Sequence, residues 1–421
     1  MRKRHFIIAG KTASMDQWGS LMMIGACGVA LLWANTPLRP FYDLVHHTPL
    51  SISLGGFSLE KPLVVWVNEG LMAFFFLAVA LEIKREILEG HLSAQRQIFL
   101  PAFAALGGMV VPATLYLLIN GNNPEFSRGW PIPTATDIAL SLGVLSLFGR
   151  RVPVELKLFL ASLAIFDDLG GILIIVLLHG GHLSLNVLAV TVLGLVTLFF
   201  LNRFDVTHAS LYIVIGIFLW ATFQDSGIHP TLAGLMVGAA LPLRLHKDGV
   251  YVPLHFVERG LHPWVTFFIV PLFAFFNTGI VLADFTFSQL LVMPSLGIVA
   301  GLVVGKPLGI FSFAWLAHMS GIARLGNHVT WRLVFGVALL GGIGFTMALF
   351  LNALAFPHNG NPETGRMAVL IGSLLSAVIG SVWLHVHLPA KQSEDQSDEL
   401  PAERMGQPEM TDGEITNGET T

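Results

Sequence analysis

VPVELKLFLASLAIFDDLGGILIIVLLH, residues 152–179, sets two adjacent acids, Asp167 and Asp168, in a run where nearly everything else is apolar. A bilayer-crossing helix takes roughly 20 such residues. A carboxylate near the bilayer centre costs roughly 2.5 to 3.5 kcal/mol on insertion scales, so two side by side need a functional or pairing reason. Handling of ions supplies one. On a helix the two residues stand about 100° apart. Both can therefore border one cavity while only one faces a given neighbouring helix.

The rest of the chain agrees with a membrane setting. Hydrophobic residues make up 54% and charged residues 12%, with a mean hydropathy of +0.70. That excludes an ordinary soluble domain and marks an all-α polytopic membrane protein. About twelve apolar runs of roughly spanning length centre near residues 26, 74, 108, 139, 165, 192, 215, 236, 273, 302, 343 and 376. One cysteine, Cys27, rules out an intramolecular disulfide and a thiolate metal cluster. The pI near 6.5 argues against nucleic acid as a partner.

With twelve spans, the side holding both termini carries 18 of the 23 Lys and Arg, and the other side only Arg39, Lys61, Arg128 and Arg366. Basic loops stay in the cytoplasm, so both termini are expected there. Residues 1–12 read as a cytoplasmic segment, because the apolar stretch Phe6 to Gly10 is too short for a cleaved signal. Residues 13–388 form the membrane domain. Residues 389–421 hold nine acids against Lys391 and Arg404, and read as a disordered acidic tail. Between the first two runs, Leu50-Ser-Ile-Ser-Leu54 and Phe57-Ser-Leu59 alternate apolar and polar about Gly55-Gly56. That pattern predicts a small external β-hairpin. An isolated hairpin is marginal, so a homodimer through residues 50–59 follows as an expectation.

The runs contain few ionisable groups: Glu69, Glu82, Asp137, Asp167, Asp168 and Lys306. Lys306 lies deep in LGIVAGLVVGKPLGIFSFAWLA (296–317), and its ammonium calls for a carboxylate partner. It is expected to pair with one aspartate while the transported ion contacts both. A purely structural ion pair would leave the second carboxylate unexplained. Asp137 follows Pro131-Ile-Pro-Thr-Ala-Thr. Proline lacks a backbone donor and clashes with the turn before it, so a helix is broken or begins here. Thr134 or Thr136 can cap it, with the Asp137 carboxylate opposing the positive dipole end. A matching interruption stands at Gly341-Gly342-Ile-Gly344. Two interrupted helices in different halves of a chain point to a midplane binding site.

These blocks resemble one family. TATDIAL with Asp137, LAIFDDLGG with Asp167 and Asp168, VGKPLGI with Lys306, and GGIGFTMALF at 341–350 are similar to the NhaA sodium/proton antiporters. ALEIKREI at 80–87, SGIHPTLAG at 226–234 and LHPWVTFFIVPLFAFFNTGI at 261–280 extend the resemblance in order over roughly residues 13 to 388. That family is among those from which the inverted-repeat rule was drawn. The resemblance implies twelve transmembrane helices in inverted-topology repeats, with two discontinuous helices that cross. It further implies a bacterial inner membrane location, Na+, Li+ and H+ as substrates, and pH-regulated, electrogenic exchange without a cofactor or enzymatic activity. By position, Asp167 and Asp168 would bind Na+ or protons in turn. Asp137 and Lys306 would balance the exposed dipole ends, Thr136 would lend an oxygen, and Gly341, Gly342 and Gly344 would shape the break. Glu82, Lys84, Arg85, Glu86, Glu258 and Arg259 would form a pH-sensing mouth on the cytoplasmic side. A solvated helix end with salt bridges explains those six residues as well. Arg259 departs from the family, which has a titratable histidine there, so His229 and His262 are the remaining candidates. Glu69 stands where a shorter acid is usual.

Other classes fit less well. An intramembrane aspartyl protease needs carboxylates on facing helices and a Gly-x-Gly-Asp signature, which this chain lacks. The nearest phosphate-loop pattern ends in Gly305-Lys306 but has Ala300 and Pro307 at key positions. A sodium-coupled symporter and a passive channel stay open at this point, separable by solute accumulation and by proton counterflow.

Overall fold

The computed structural model describes residues 6–8, 11–13, 15–54, 57–89, 95–178, 185–224, 226–243, 253–283, 286–326, 329–356 and 362–389. The acidic tail and the Gly55-Gly56 turn fall outside the described residues. The helices are α1 (Met15–Ala34), α2 (Arg39–His47), α3 (Leu63–Leu88), α4 (Gln95–Asn120), α5 (Ile138–Ser146), α6 (Val154–Leu178) and α7 (Leu185–Arg203). There follow α8 (Ala209–Phe223), α9 (Leu232–Ala240), α10 (Pro253–Thr278), α11 (Ser295–Met319), α12 (Trp331–Gly341), α13 (Phe345–Ala355) and α14 (Pro362–His387). Each of the twelve apolar runs centres on one of these helices or, near residue 343, on the break between α12 and α13. Six described helices are long and apolar enough to cross a membrane, and α12 with α13, bent by 44°, makes a seventh. Leu118, Leu193, Val214 and Leu374 stand exposed on the outer surface, which is the surface a lipid solvent selects.

Three spans contain a wide π-turn: 66–71 in α3, 265–269 in α10 and 301–305 in α11. Two have a covalent cause. Pro271 and Pro307 lack the N–H that would bond four residues back, to Phe267 and Val303, which lie inside those turns. Lys306 sits at the end of the third.

One of the close helix contacts is between α4 and α11. A Cβ on Gly309 would lie 2.1 Å from the Gly107 carbonyl oxygen, and one on Gly305 2.8 Å from Pro112 Cα. The two backbones therefore touch, and this places Lys306 over the interior. Outside the bundle, β3 (Pro49–Leu54) and β4 (Phe57–Pro62) pair antiparallel with Leu54 opposite Phe57, the register of a two-residue turn. A second short pair, β1 at 6–8 and β2 at 11–13, was not expected from the sequence. The short helix α2 packs on the end of α10, where the Tyr42 hydroxyl donates to Phe275 O at 2.9 Å and His46 Nε2 to Phe276 O at 2.6 Å. Burial holds the His46 imidazole below the ordinary histidine range, with the Arg366 and His47 charges adding to it and the Phe276 carbonyl and Asp43 opposing.

Gly309→Val is expected to force the α4–α11 backbones apart and cost about 1–3 kcal/mol by overpacking. An unchanged thermal unfolding midpoint in detergent would show that this contact is not tight in solution.

Candidate functional site

The interior site lies where two interrupted segments cross. One runs from a 3-10 turn, Ile132–Thr134, through extended Ala135-Thr136 to Asp137 and then α5. The other passes from α12 through Gly342-Ile343-Gly344 into α13. They are joined backbone to backbone, Asp137 N donating to Ile343 O at 2.7 Å. The limb before α5 is one turn of 3-10 helix and not a half-helix, which follows physically from the polar stretch Asn120 to Arg128 and the two prolines after it.

Asp137 is buried and is itself the N-cap of α5, a correction to the expectation that Thr134 or Thr136 would cap it. Its Oδ1 accepts from Leu140 N at 2.9 Å. Its Oδ2 accepts from Thr346 N at 3.1 Å and from Thr346 Oγ1 at 2.5 Å, in the first turn of α13. One carboxylate thus serves the positive ends of two helices. Thr134 turns its hydroxyl to Pro131 O instead.

The opposite charge faces the opposite ends. Lys306, fully buried, donates to the carbonyl of Thr134, at the end of the 3-10 turn. It also pairs with Asp167 Oδ2 at 2.8 Å. The Thr136 hydroxyl lies 2.6 Å from the same carboxylate oxygen and 2.8 Å from Gly341 O, the last residue of α12. It has one proton for two acceptors.

Asp167 and Asp168 are each 3% exposed, but they are treated differently. Asp167 Oδ2 carries both polar contacts, and Oδ1 has no hydrogen-bond partner. Among the described residues Asp168 makes no hydrogen bond or ion pair. Glu82, on α3, interacts electrostatically with both Asp168 and Arg85, so it stands between the interior pair and the far end of its helix.

At that far end the structure gathers only part of the sequence-derived cluster. Arg85 binds Glu258, across on α10, and Glu86 at 3.0 Å. Lys84 Nζ turns away to cap α9, at 2.6 Å from Ala239 O and 2.7 Å from Leu241 O. Arg259 is exposed and, among the described residues, makes no hydrogen bond or ion pair. His255 joins instead, with Nε2 2.9 Å from Glu89 and Nδ1 3.6 Å from Glu258. It was missed, although its spacing three residues before Glu258 on one helix face was a usable signal. His229 is buried elsewhere, 2.6 Å from Thr231 Oγ1, and His262 is exposed. Glu69 lies on the hairpin side, 3.7 Å from Lys61.

Residues 11–384 match the Na+/H+ antiporter 1 family. The chain belongs to it. It is similar to the Na(+)/H(+) antiporter NhaA 2 of Saccharophagus degradans, 47% identical over 378 residues that cover 88% of this chain and 98% of that protein. It is also similar to the Na(+)/H(+) antiporter NhaA of Yersinia enterocolitica, 45% identical over 377 residues, covering 89% and 96%. In fold it resembles the sodium proton antiporter MjNhaP1 of Methanocaldococcus jannaschii, with a TM-score of 0.50 at 15% identity, covering 88% of this chain and 94% of that one. A likeness at that identity speaks for the fold alone.

Removing one partner of a buried ion pair costs about 3–5 kcal/mol. Lys306→Ala is therefore expected to lower the unfolding temperature, and adding Asp167→Asn should recover part of the loss. A double variant no more stable than Lys306→Ala alone would mean that the pair contributes little to the fold.

Proposed function

We propose that this chain exchanges cytoplasmic Na+ or Li+ for external H+, with cation and protons binding in mutual exclusion at Asp167 and Asp168. The observation that carries the reading is the asymmetry of the pair. Asp167 keeps one oxygen for Lys306 and Thr136, which leaves its Oδ1 and, among the described residues, both Asp168 oxygens without a donor. Hard oxygens of this kind suit a dehydrated alkali cation. Protonating the carboxylates removes the charge that holds the ion, so the two cargoes compete for one place. If both aspartates carry protons inward and both are ionised around one Na+, each cycle exchanges two protons for one cation. The exchange then moves net charge and responds to membrane potential as well as to the pH gradient.

Asp137 and Lys306 hold the crossing of the broken segments in this reading, with Gly341, Gly342 and Gly344 forming the break and Thr136 bringing an oxygen to the ion. Residues 13–388 are the transport body. The 389–421 tail stands outside the chemistry. The basic residues put both termini in the cytoplasm of a bacterial inner membrane. The β3–β4 hairpin, a two-stranded sheet with edges a second copy can pair with, joins two copies.

The mouth formed by Glu82, Arg85, Glu86 and Glu258 sets the pH response in this reading. His255 lies between Glu89 at the end of α3 and Glu258 on α10 and ties the two together, while Arg259 carries a fixed charge at the edge of the mouth.

Inverted membrane vesicles with an acid interior test the exchange. Added Na+ is expected to collapse the gradient with the wild-type chain and not with Asp168→Asn, which should still fold. No collapse with Na+, Li+ or K+ in folded wild type would overturn the reading, and so would substantial exchange by Asp168→Asn.

The same vesicles scanned over pH test the mouth. His255→Gln, which loosens the tie from Glu89 to Glu258, is expected to shift the activity-versus-pH profile while leaving exchange at its optimum. A profile unchanged from wild type would remove His255 from regulation.

A further inference from the structure

A cavity of about 830 Å³ lies between α3, α8, α9 and α10 under the β3–β4 hairpin, far from the carboxylate pair. Cavities that hold small molecules run from roughly 300 to 1,000 Å³. Its walls are hydrocarbon and aromatic. Ile52 and Leu59 of the hairpin form the roof, and the indoles of Trp66 and Trp220 line it. Both indole N–H groups are used elsewhere, Trp66 Nε1 donating to Leu50 O and Trp220 Nε1 to Glu69 O, each at 3.1 Å. A polar solute would find no hydrogen bond within.

The cavity occupies the hairpin half of these helices, and part of its lining is exposed. Phe74, Val214, Ile217 and Phe268 lie on its rim and are exposed. They continue the apolar outer surface of the bundle, the surface that meets lipid. Tryptophan rings are enriched at the interfacial depth of a bilayer. At the same end the partly exposed Lys61 lies 3.7 Å from Glu69 at the foot of the hairpin, a cation that a phosphate headgroup can approach. Apolar wall, exposed apolar rim, paired indoles and a cation at the same end of the bundle together describe one occupant.

We propose that this groove binds one acyl chain of a phospholipid of the external leaflet, with its headgroup beside Lys61. The inference rests on the reading of the chain as membrane-spanning and not on the carboxylate site. A chain seated there packs against α3 and α10, the two helices whose π-turns at 66–71 and 265–269 border the groove.

The test uses the full chain in proteoliposomes containing phosphatidylglycerol that carries a photoreactive diazirine within its acyl chain, with adducts mapped by mass spectrometry. Annular lipid is measured on α7, where Val192 and Phe199 are exposed. Adducts on 66–77 and 213–221 are expected to exceed those on α7. Two variants fill the groove: Ala221→Phe, and Gly70→Leu, where a Cβ meets only ordinary contacts, 3.7 Å to Trp220 and 3.9 Å to Trp66. In both, labelling of the lining should fall to the α7 level while sodium-dependent exchange in the same vesicles persists. Lining labelled no more than α7 in wild type would overturn the proposal, whether the groove is empty or filled by a second copy. Labelling that the filling variants leave unchanged would overturn it too. Loss of exchange in wild type bears on the carboxylate reading and leaves the lipid result standing.

Discussion

Two helix N-termini brought together in a low-dielectric interior repel, and the Asp137 carboxylate is what holds them. Each helix end carries roughly half an elementary charge. Asp137 receives one backbone N–H from α5, and from α13 a backbone N–H and a hydroxyl. Lys306 performs the converse service, its ammonium lying against the carbonyl of Thr134 where the 3-10 turn ends. The broken segments can thus stay unwound at membrane depth because the starts of α5 and α13 meet Asp137 and the end of the 3-10 turn meets Lys306. The open backbone around residues 135–137 and 342–344 then brings Thr136, whose hydroxyl also touches Gly341 O, to the Asp167 carboxylate.

The position of Lys306 depends on its own chain neighbours. Pro307 leaves a carbonyl of the preceding turn without its donor, and the helix widens at 301–305 just before the lysine. Gly305 and Gly309 let α11 press against α4 until the backbones meet. A lysine on an ordinary turn beside larger residues would stand further from both Thr134 and Asp167. One proline and two glycines thus place the charge that the crossing and the carboxylate pair share.

Much of this was legible in the sequence because charge in an apolar run is costly and therefore informative. The burial of Asp137, Asp167, Asp168 and Lys306, the two interruptions and the hairpin all followed from residue type and spacing. The rest depended on contacts between distant segments. Thr346 reads as an ordinary helix residue until α13 is seen to begin beside Asp137. Lys84 looked like one of a charged cluster, but the open end of α9 offers two carbonyls and draws it away. His255 gained its place only once Glu89 and Glu258, far apart in the chain, were on facing helices. The wide turns could be suspected from Pro271 and Pro307, but the one at 66–71 contains no proline and gave no comparable sign.

The unequal treatment of the two aspartates is the last step. A buried ionised group without a partner costs far more than a paired one, and packing alone would favour replacing Asp168 by an apolar residue. Asp167 has an explanation within the fold, since Lys306 and Thr136 meet it and tie it to both broken segments. Asp168 has none: it is 3% exposed and, among the described residues, no hydrogen bond or ion pair offsets its burial. A group that the folded chain leaves unsatisfied is stabilised only when something outside the chain binds to it. A proton or an alkali cation is small enough to reach it and positive enough to do so. In the proposed exchange, this unmet electrostatic demand at Asp168 is the physical form of its affinity for cargo, and Asp167, tied to Lys306, stands next to it in the chain.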